Sequence, residues 1–334
     1  MTVTACLIVR DCAADLAQCL ASVRPFVDEL VVLDTGSVDD TQAVAAAAGA
    51  VLHQAAWTDD FAAARNAALQ HCTGDWVLSI DADEVAAGVP PWLAPMLAGC
   101  GAELDGLSLL IRHADGPDAR GLASHREVKL FRRDRIRWTG RVHERPVRLS
   151  GGDPVIAELP EQTLHLVHTG YTDPVRVRAK AERNARLCRL QLDELTWRSA
   201  EPEELARAAL DLGRSELAAG RPEQAIVALR LARDGAVGGP AWSWATDFLT
   251  RLAIEQQRPD EATWLVAELF RAGAPTGYCR WLLALTLIAR GAMAEADRLL
   301  ADITELSDLA GNPLDLEQVR RARAACAVPL VVNG

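Results

Sequence analysis

The distribution of apolar and polar positions predicts alternating strands and helices over the first third of the chain. Short, β-prone apolar runs bounded by polar residues are typical of buried strands. Apolar residues that recur every three or four positions are typical of helices that cover a sheet. The predicted strands are 2–9, 30–33, 51–52, 76–80 and 107–111, and the predicted helices are 15–23, 41–48, 59–72 and one around 91–97. This order indicates an α/β fold with a mostly parallel sheet and helices on both faces.

The second half of the chain changes to a helical and repetitive pattern. A long helix is predicted over 174–197, and the chain is wholly helical from Pro202 onward. Segment 217–225 is echoed by 254–262 and 288–296, each with an apolar residue eight positions before an Ala across a turn. The three alanines are 37 and 34 residues apart. This spacing resembles that of tetratricopeptide-like helical hairpins.

These patterns predict three parts of the chain. They are an α/β domain over 1–173, a connecting helix over 174–200 and a helical-repeat domain over 201–334. Helical repeats pack face to face and present a concave surface. That surface could hold a peptide or a protein, or it could pair two copies of the chain in a homo-oligomer.

The composition narrows the classes of function. The net charge is −11, so the molecule as a whole has no electrostatic reason to bind nucleic acid or an anionic membrane. No apolar run approaches the roughly 18 residues of a transmembrane helix, and no basic leader precedes the first strand. The eight cysteines are scattered and form no CxxC pair. We therefore expect reduced, mostly buried cysteines and a cytoplasmic protein.

Carboxylates follow the strand predicted at 76–80. Asp81, Asp83 and Glu84 come directly after this apolar run, at the edge where open α/β sheets bind ligands. Asp81 and Asp83 would point the same way in an extended chain. Placing two like charges so near each other costs free energy unless a cation or a polar ligand lies between them. The alternative is an acidic turn after a core strand.

A second strand end carries a polar loop. Asp34, Thr35, Gly36 and Ser37 follow the strand at 30–33 and lead into the N-terminus of a predicted helix, where free backbone amides favour an anion. The chain has no GxGxxG and no GxxxxGK[ST] motif, so the usual dinucleotide and P-loop fingerprints are absent. The alternative is structural: Asp34 could only begin the helix, and Ser37 could be a plain N-cap.

Four segments in this order and spacing resemble family-2 glycosyltransferases of the GT-A fold. They are CLIVRD at 6–11, VDELVVLDTGSVDDT at 27–41, FAAARN at 61–66 and DADE at 81–84. The resemblance covers roughly residues 3–172. It implies that the loop of Asp34, Thr35 and Ser37 holds the nucleoside of the donor, and that Arg65 lies near the base or diphosphate. It also implies that Asp81 contacts the ribose and that Asp83 binds a divalent metal.

The resemblance implies transfer of a sugar from a nucleoside-diphosphate sugar, with Mn²⁺ or Mg²⁺ as cofactor and inversion at the anomeric carbon. The acceptor is unidentified and could be a peptide, a protein, a natural product or a glycan. One departure concerns the nucleotide: relatives usually show Asn-Glu where this chain has Asp11-Cys12. If that pair contacts the base, the choice of nucleotide is open.

The middle of the chain is basic. Residues 126–148 carry nine Arg or Lys against three acidic residues. This segment could be a solvated pair of strands, or some of its arginines could face the donor diphosphate or an anionic acceptor. Little aromatic interleaving is present for base stacking, which argues against nucleic acid as the anion.

Two further motifs, WTGRVHE at 138–144 and LHLVHTGY at 164–171, resemble motifs of the same glycosyltransferase branch. His168 ends an apolar run and could complete a metal site with Asp83, or it could be a structural histidine. Glu144 is the candidate base that takes the acceptor proton. The alternative for Glu144 is an ion pair with Arg141 or Arg145.

Two other functions remain open at this point. The chain could be a helical-repeat scaffold whose N-terminal domain has lost catalysis, although the intact Asp81-Ala82-Asp83 argues against this. It could also be a nucleotidyltransferase, which uses paired carboxylates and a metal, but no Gly-rich triphosphate loop is recognisable.

Overall fold

The computed structural model describes residues 1–88, 93–114, 124–169 and 174–326, and the chain divides into two compact units, Met1–Ala179 and Lys180–Gly334. The strands of the first unit are β1 Val3–Val9, β2 Glu29–Asp34, β3 Val51–Gln54, β4 Trp76–Ser79, β5 Glu84–Ala87, β6 Gly106–His113, β7 Ser124–Arg132, β8 Ile136–Thr139, β9 Arg145–Arg148, β10 Ile156–Glu158 and β11 His165–His168. Its helices, apart from the start of α5 given below, are α1 Ala13–Val23, α2 Thr41–Ala47, α3 Phe61–Leu69 and α4 Leu93–Ala98, with a short 3₁₀ turn at Arg24–Phe26.

Nine of the described strands form one sheet, in the order β3-β2-β1-β4-β7-β6-β11-β5, with β10 beside β6. Pairing is parallel among β1, β2, β3 and β4 and where β6 meets β10 and β11. It is antiparallel where β7 meets β4 and β6, and where β5 meets β11. The predicted α/β fold is confirmed, and the sheet is mixed, with β8 and β9 in a separate antiparallel ribbon.

Helices cover both faces of the parallel part of the sheet. Alternate residues of β1 point to opposite faces, so Leu7 packs in a cluster with Leu16 and Leu20 of α1. Cys6 lies in the other cluster, with Ala62 of α3. Burial on both faces explains why β1 and β2 read as continuous apolar runs. Burying each large aliphatic side chain contributes about 1.5–3 kcal/mol.

Helix α3 is shorter than the pattern predicts. It begins at Phe61 because the carboxylate of Asp60 caps it, accepting a hydrogen bond of 2.8 Å from the amide of Ala63. It ends at Leu69, three residues before the predicted end at Cys72. This start places Arg65 one turn inside the helix. Arg65 is thereby near the edge of the sheet at which the strands end in polar residues. The predicted helix around 91–97 is α4, although residues 89–92 lie outside the described residues.

The second unit consists of helices joined by short connections, apart from residues 302–316, which contain no helix and form an isolated β-bridge between Ser307 and Pro313. Its helices are α5 Pro174–Trp197 (which begins in the first unit), α6 Pro202–Ala218, α7 Pro222–Ala232, α8 Pro240–Glu255, α9 Pro259–Arg271, α10 Thr276–Arg290, α11 Met293–Ala301 and α12 Glu317–Cys326. Proline begins α6, α7, α8 and α9, where its missing N–H costs no helical hydrogen bond. The repeat alanines Ala225, Ala262 and Ala296 are all fully buried, so the spacing marks the contacts within helical hairpins. The predicted helical-repeat architecture is confirmed. The apolar tail at 328–332 lies outside the described residues.

In the described residues no helix combines the length and the apolar character needed to cross a bilayer. All eight cysteines are free thiols, as the scattered spacing predicts. Trp242 and Trp281 are buried between helices, whereas Trp264 is 51% exposed. The ring of Trp264 stacks instead on the guanidinium of Arg233 at 5.2 Å.

A buried polar cluster links α8 to α10. The hydroxyl of Tyr278 donates to Oδ1 of Asp247 at 3.0 Å and accepts from Nη2 of Arg251 at 2.8 Å. Nε of Arg251 also donates to Oδ2 of Asp247 at 2.9 Å. This network satisfies polar groups that would otherwise be costly to bury.

Replacing Tyr278 by Phe is expected to destabilise this unit by about 1–2 kcal/mol, because the buried Asp247 and the partly exposed Arg251 each lose one partner. Urea unfolding of the full chain measures the change. Trp197→Phe is the control, because Trp197 is 88% exposed and an exposed substitution changes stability by only about 0.5 kcal/mol or less. An unchanged midpoint in Tyr278→Phe would show that the hydroxyl contributes nothing to the cluster.

Candidate active site

Arg65 is the centre of the site. Its guanidinium donates from Nε to Oε1 of Glu144 at 2.6 Å, from Nη2 to Oδ1 of Asp81 at 2.8 Å, and from Nη1 to Oγ of Ser79 at 3.1 Å. Burial lowers the pKa of Arg65, but Asp81 and Glu144 raise it well above its ordinary value. A planar fork of donors suits this arrangement, in which one cation orients two carboxylates. The structure thus brings together three predicted site residues, and the partner of Glu144 is Arg65.

The segment 138–144 is fixed on helix α3. The side chain of Asn66 donates to the carbonyl of Trp138 at 2.9 Å and accepts from its amide at 2.8 Å. The ring of Trp138 lies 5.2 Å from the guanidinium carbon of Arg65, a cation–π distance. The amide of Phe61 donates to the carbonyl of Arg141 at 2.8 Å. These contacts explain why FAAARN and WTGRVHE occur in one chain: each holds the other at the sheet edge.

Asp81 and Asp83 do not share an extended strand. Strand β4 ends at Ser79 and the chain turns at residues 82–83, so the two side chains meet different partners. The expectation that the two side chains point the same way along an extended strand is therefore wrong. Asp81 accepts from Arg65 on Oδ1 and from the ammonium of Lys129 on Oδ2 at 3.0 Å. Burial raises the pKa of Asp81, but the two cations lower it well below its ordinary value.

Lys129 and Glu84 were not predicted as site residues. The ammonium of Lys129, in the centre of β7, lies 2.9 Å from Oε1 of Glu84. Burial lowers the pKa of Lys129, but the surrounding carboxylates raise it well above its ordinary value. Burial and the charge of Asp81 raise the pKa of Glu84 to about 7, against the lowering effect of Lys129. Oε2 of Glu84 also accepts from the amide of Asp81 at 2.9 Å, which fixes the turn.

Asp83 faces His168. Oδ2 of Asp83 lies 3.2 Å from Nε2 of His168, because β11 pairs with β5 and brings His168 opposite Glu84. The carbonyl of Asp83 accepts from the amide and the hydroxyl of Thr169 at 2.9 and 3.1 Å. An oxygen and an imidazole nitrogen are donor types that Mn²⁺ accepts, so the pair fits the predicted metal site. Within the described ranges, no three His, Cys, Asp or Glu residues are grouped to hold a metal.

Two more histidines extend this polar region, and sequence reasoning did not assign them. Nε2 of His113 lies 3.1 Å from Nδ1 of His125, and Nε2 of His125 lies 2.9 Å from Oε1 of Glu127. The ring of His113 also meets the ring of His168 edge-on at 5.5 Å. Alternation along β7 puts positions 125 and 127 on one face, and the register of β7 against β6 shifts at Lys129. That alternation was the one signal in the sequence that could have grouped them.

Asp34 forms a second network at the end of β2. It is 1% exposed, and its carboxylate accepts from the amide and hydroxyl of Ser37 and, at 2.8 Å, from Nε2 of Gln42. The amide and hydroxyl of Thr35 both donate to the carbonyl of Val9. Asp11 joins this loop, since its carboxylate accepts from the amide of Val38 at 2.8 Å. The structure therefore gives Asp34, Thr35 and Ser37 one common loop, at the same sheet edge as Asp81.

Most of the basic segment has partners within the protein. Lys129 is part of the site, and six arginines bind backbone carbonyls or the buried Asp105. These six are Arg126, Arg132, Arg133, Arg135, Arg141 and Arg148. Their role is to tie the strands and turns together, which favours the structural interpretation of the charge reversal for these positions.

The chain was compared with known proteins. A family model described as glycosyl transferase family 2 matches residues 4–149, a segment that includes Arg65, Asp81, Lys129 and Glu144. His168 lies beyond this match. A TPR repeat-containing protein of Synechococcus elongatus is 60% identical over 82 residues, 25% of this chain and 20% of that protein.

The SPbeta prophage-derived glycosyltransferase SunS of Bacillus subtilis is 25% identical over 203 residues, 59% of this chain and 47% of that protein. The chain thus spans less than half the length of both relatives. A crystal structure of glucosyl-3-phosphoglycerate synthase from Mycobacterium tuberculosis, with Mn²⁺, uridine diphosphate and product, is 28% identical. The match covers 34% of this chain and 43% of that one, with a TM-score of 0.27.

Proposed function

We propose that this chain, whose residues 4–149 belong to glycosyl transferase family 2, transfers a sugar from a nucleoside-diphosphate sugar to an acceptor nucleophile. The observation that carries the proposal is the cluster around Arg65 at the carboxyl end of β4. It joins Asp81 and Glu144 through one guanidinium, inside the segment that matches the family. These two charged pairs lie at the carboxyl end of a strand, the edge at which open α/β sheets bind ligands.

The charge of the site supports a divalent metal. Two side-chain cations, Arg65 and Lys129, pair with four carboxylates, namely Asp81, Glu84, Glu127 and Glu144. A nucleoside diphosphate brings further negative charge, and like charges at close range repel by several kcal/mol when partly buried. A divalent cation that binds with the donor would offset this repulsion.

We assign Asp83 and His168 as the protein ligands of that ion. Mg²⁺ and similar ions often take only one or two protein ligands and complete their shell with substrate phosphate oxygens and water. This agrees with a site of two protein ligands rather than one in which the protein supplies the whole coordination shell. When bound, the ion would stabilise the negative charge that develops on the departing nucleoside diphosphate.

The donor side of the proposal uses the two strand ends. Asp34, positioned by Ser37 and Gln42, would accept a hydrogen bond from the base or ribose. Thr35 and Ser37 hold the loop in place. Asp81 would contact the ribose through the remaining lone pairs of its oxygens, since each carboxylate oxygen has about two acceptor sites. Arg65 would hold Asp81 for this contact.

Glu144 is the proposed base. Its Oε1 is held by Arg65, which fixes the orientation of the carboxylate. An acceptor hydroxyl must lose its proton as its oxygen attacks the anomeric carbon, and a positioned carboxylate contributes to such a step. Attack on the face opposite the leaving diphosphate would invert the configuration of that carbon.

A direct test is the release of nucleoside diphosphate from a panel of UDP-, GDP-, ADP- and dTDP-sugars, with Mn²⁺ or with a chelator. We expect one sugar nucleotide to be turned over in Mn²⁺, and the rate to fall to background in the chelator. Release of pyrophosphate would instead indicate a nucleotidyltransferase. No turnover of any donor, with water or a mixture of candidate acceptors, would oppose the proposal.

Replacing Arg65 by Lys is expected to lower transfer by roughly 10-fold, because one ammonium cannot reproduce a fork that binds Glu144, Ser79 and Asp81 together. Steady-state kinetics with the preferred donor measure the change. The matched control is Arg137→Lys, since Arg137 is an exposed arginine of β8. Equal rates in Arg65→Lys and wild type would remove Arg65 from the mechanism.

A further inference from the structure

Lys129 is an unusual cation for a strand interior. Its side chain is 4% exposed, and its ammonium lies 3.0 Å from Asp81, 2.9 Å from Glu84 and 3.5 Å from Glu127. Lysine is almost never fully buried unless it is paired. Here one ammonium is the meeting point of three carboxylates.

The sheet places Lys129 at this point. Strand β7 runs antiparallel to β4, with Leu130 opposite Leu78, so Lys129 lies beside the end of β4, where the chain turns through Asp81. Glu127 precedes Lys129 by two residues, and the two side chains meet at a shift in the register between β7 and β6. Glu84 begins β5 just after the same turn. Carboxylates from two different chain segments therefore converge on one side chain.

Fold stability alone does not account for such a lysine. A buried ion pair can often be replaced by apolar residues of similar size at no loss of stability, and the two residues that follow Lys129 in β7, Leu130 and Phe131, are buried and apolar. The orientation of Asp81 does depend on Lys129. Arg65 holds one oxygen of Asp81 and Lys129 holds the other.

We propose that Lys129 is a positioning residue that acts as the built-in cation of this site. It holds Asp81 in the orientation that the donor requires, and it occupies the junction of Asp81, Glu84 and Glu127, so that a divalent ion is confined to Asp83 and His168. The donor-related part rests on the proposed function, whereas the occupancy of the carboxylate junction does not.

Whether Lys129 occupies the carboxylate junction is tested by counting the Mn²⁺ ions bound per chain in the absence of nucleotide. Titration calorimetry and the electron paramagnetic resonance signal of free Mn²⁺ both give this count. Lys129→Ala vacates a position close to three carboxylates, and we expect it to bind one more Mn²⁺ per chain than wild type. Lys129→Arg keeps the charge and is expected to match wild type. An unchanged Mn²⁺ count in a folded Lys129→Ala variant would overturn the proposal.

The positioning of Asp81 is tested with the double variant Lys129→Met with Glu84→Gln. It removes one positive and one negative charge together, so it avoids leaving Glu84 as an unpaired buried carboxylate and keeps the fold, while Asp81 still loses its second partner. We expect a melting temperature near that of wild type and weaker binding of the nucleoside diphosphate that wild type prefers among UDP, GDP, ADP and dTDP. The loss should be roughly 10-fold or more, as for a hydrogen bond to a charged group.

Glu84→Gln alone is the reference for the double variant, because it keeps the ammonium of Lys129 on Asp81 and its amide oxygen can still accept from the amide of Asp81, so we expect it to bind the nucleotide roughly 10-fold or more tightly than the double variant does. Wild-type affinity in the double variant would show that Lys129 serves only to neutralise Glu84, and the proposal would be wrong. If wild type binds no nucleotide but Lys129→Ala gains an Mn²⁺ ion, the role of Lys129 as resident cation stands and the donor function fails.

Discussion

Replacing Asp83 by alanine is expected to lower sugar transfer by roughly 1,000-fold or more, because a metal ion contributes several kcal/mol to the transition state and each 1.4 kcal/mol is tenfold in rate. The fold should be retained. The hydrogen bonds from Thr169 end on the backbone carbonyl of Asp83, which the substitution preserves. The measurement is the rate of diphosphate release at saturating donor, together with the melting temperature.

Asp153→Ala is the matched control, since Asp153 is an exposed aspartate of the same unit, and it should retain full activity. The His168→Ala variant should lose Mn²⁺ affinity in the same direction as Asp83→Ala. Full activity of Asp83→Ala, or wild-type activity that is indifferent to a chelator, would exclude the assigned metal role.

Replacing Glu144 by Gln is expected to lower transfer to a hydroxyl acceptor by roughly 100-fold or more, the usual size of the loss of a general base. Donor affinity should stay close to wild type, because the amide oxygen of Gln can still accept from Nε of Arg65. Measuring kcat and, by calorimetry, nucleotide affinity separately distinguishes an effect on transfer from an effect on donor binding. A thiol acceptor should be affected less, because part of it is already thiolate at neutral pH.

Glu158→Gln is the control for this change: Glu158 is an exposed carboxylate of the same unit, paired with Arg126. Wild-type rates in Glu144→Gln would exclude Glu144 as the base. Asp134, which is exposed in the turn between β7 and β8, would then be tested next; Asp115 lies outside the described residues. A loss of nucleotide affinity would instead place Glu144 in the donor site.

The first half of the sheet was predictable because its signals are local. β1, β2 and β4 are continuous apolar runs with polar ends, and such runs specify buried parallel strands. The strands after residue 113 were harder, since their charged side chains bind carbonyls and Asp105 rather than solvent. Periodicity alone does not distinguish such a strand from a solvated one. The helical repeats were predicted from the spacing of three alanines. Ala225, Ala262 and Ala296 are all buried, which explains why their spacing reports the repeat.

The sequence singled out several residues of the candidate site, but not how they pair. Spacing within a chain placed Asp81 and Asp83 together, yet a turn separates their side chains and gives each its own partner. The contact of Arg65 with Glu144 spans 79 positions, and no local pattern specifies it. Lys129 was missed for the same reason: its partners are set by the antiparallel pairing of β7 with β4.

The measurement that tests the central claim most directly is calorimetric binding of UDP, GDP, ADP and dTDP to the full chain, with and without Mn²⁺ or Mg²⁺. The account predicts that one nucleoside diphosphate binds, that the metal strengthens binding by roughly 10-fold or more as expected when it screens charge, and that Asp83→Ala abolishes this gain. If no nucleoside diphosphate binds, or if binding is equally tight without metal and in Asp83→Ala, the account is contradicted.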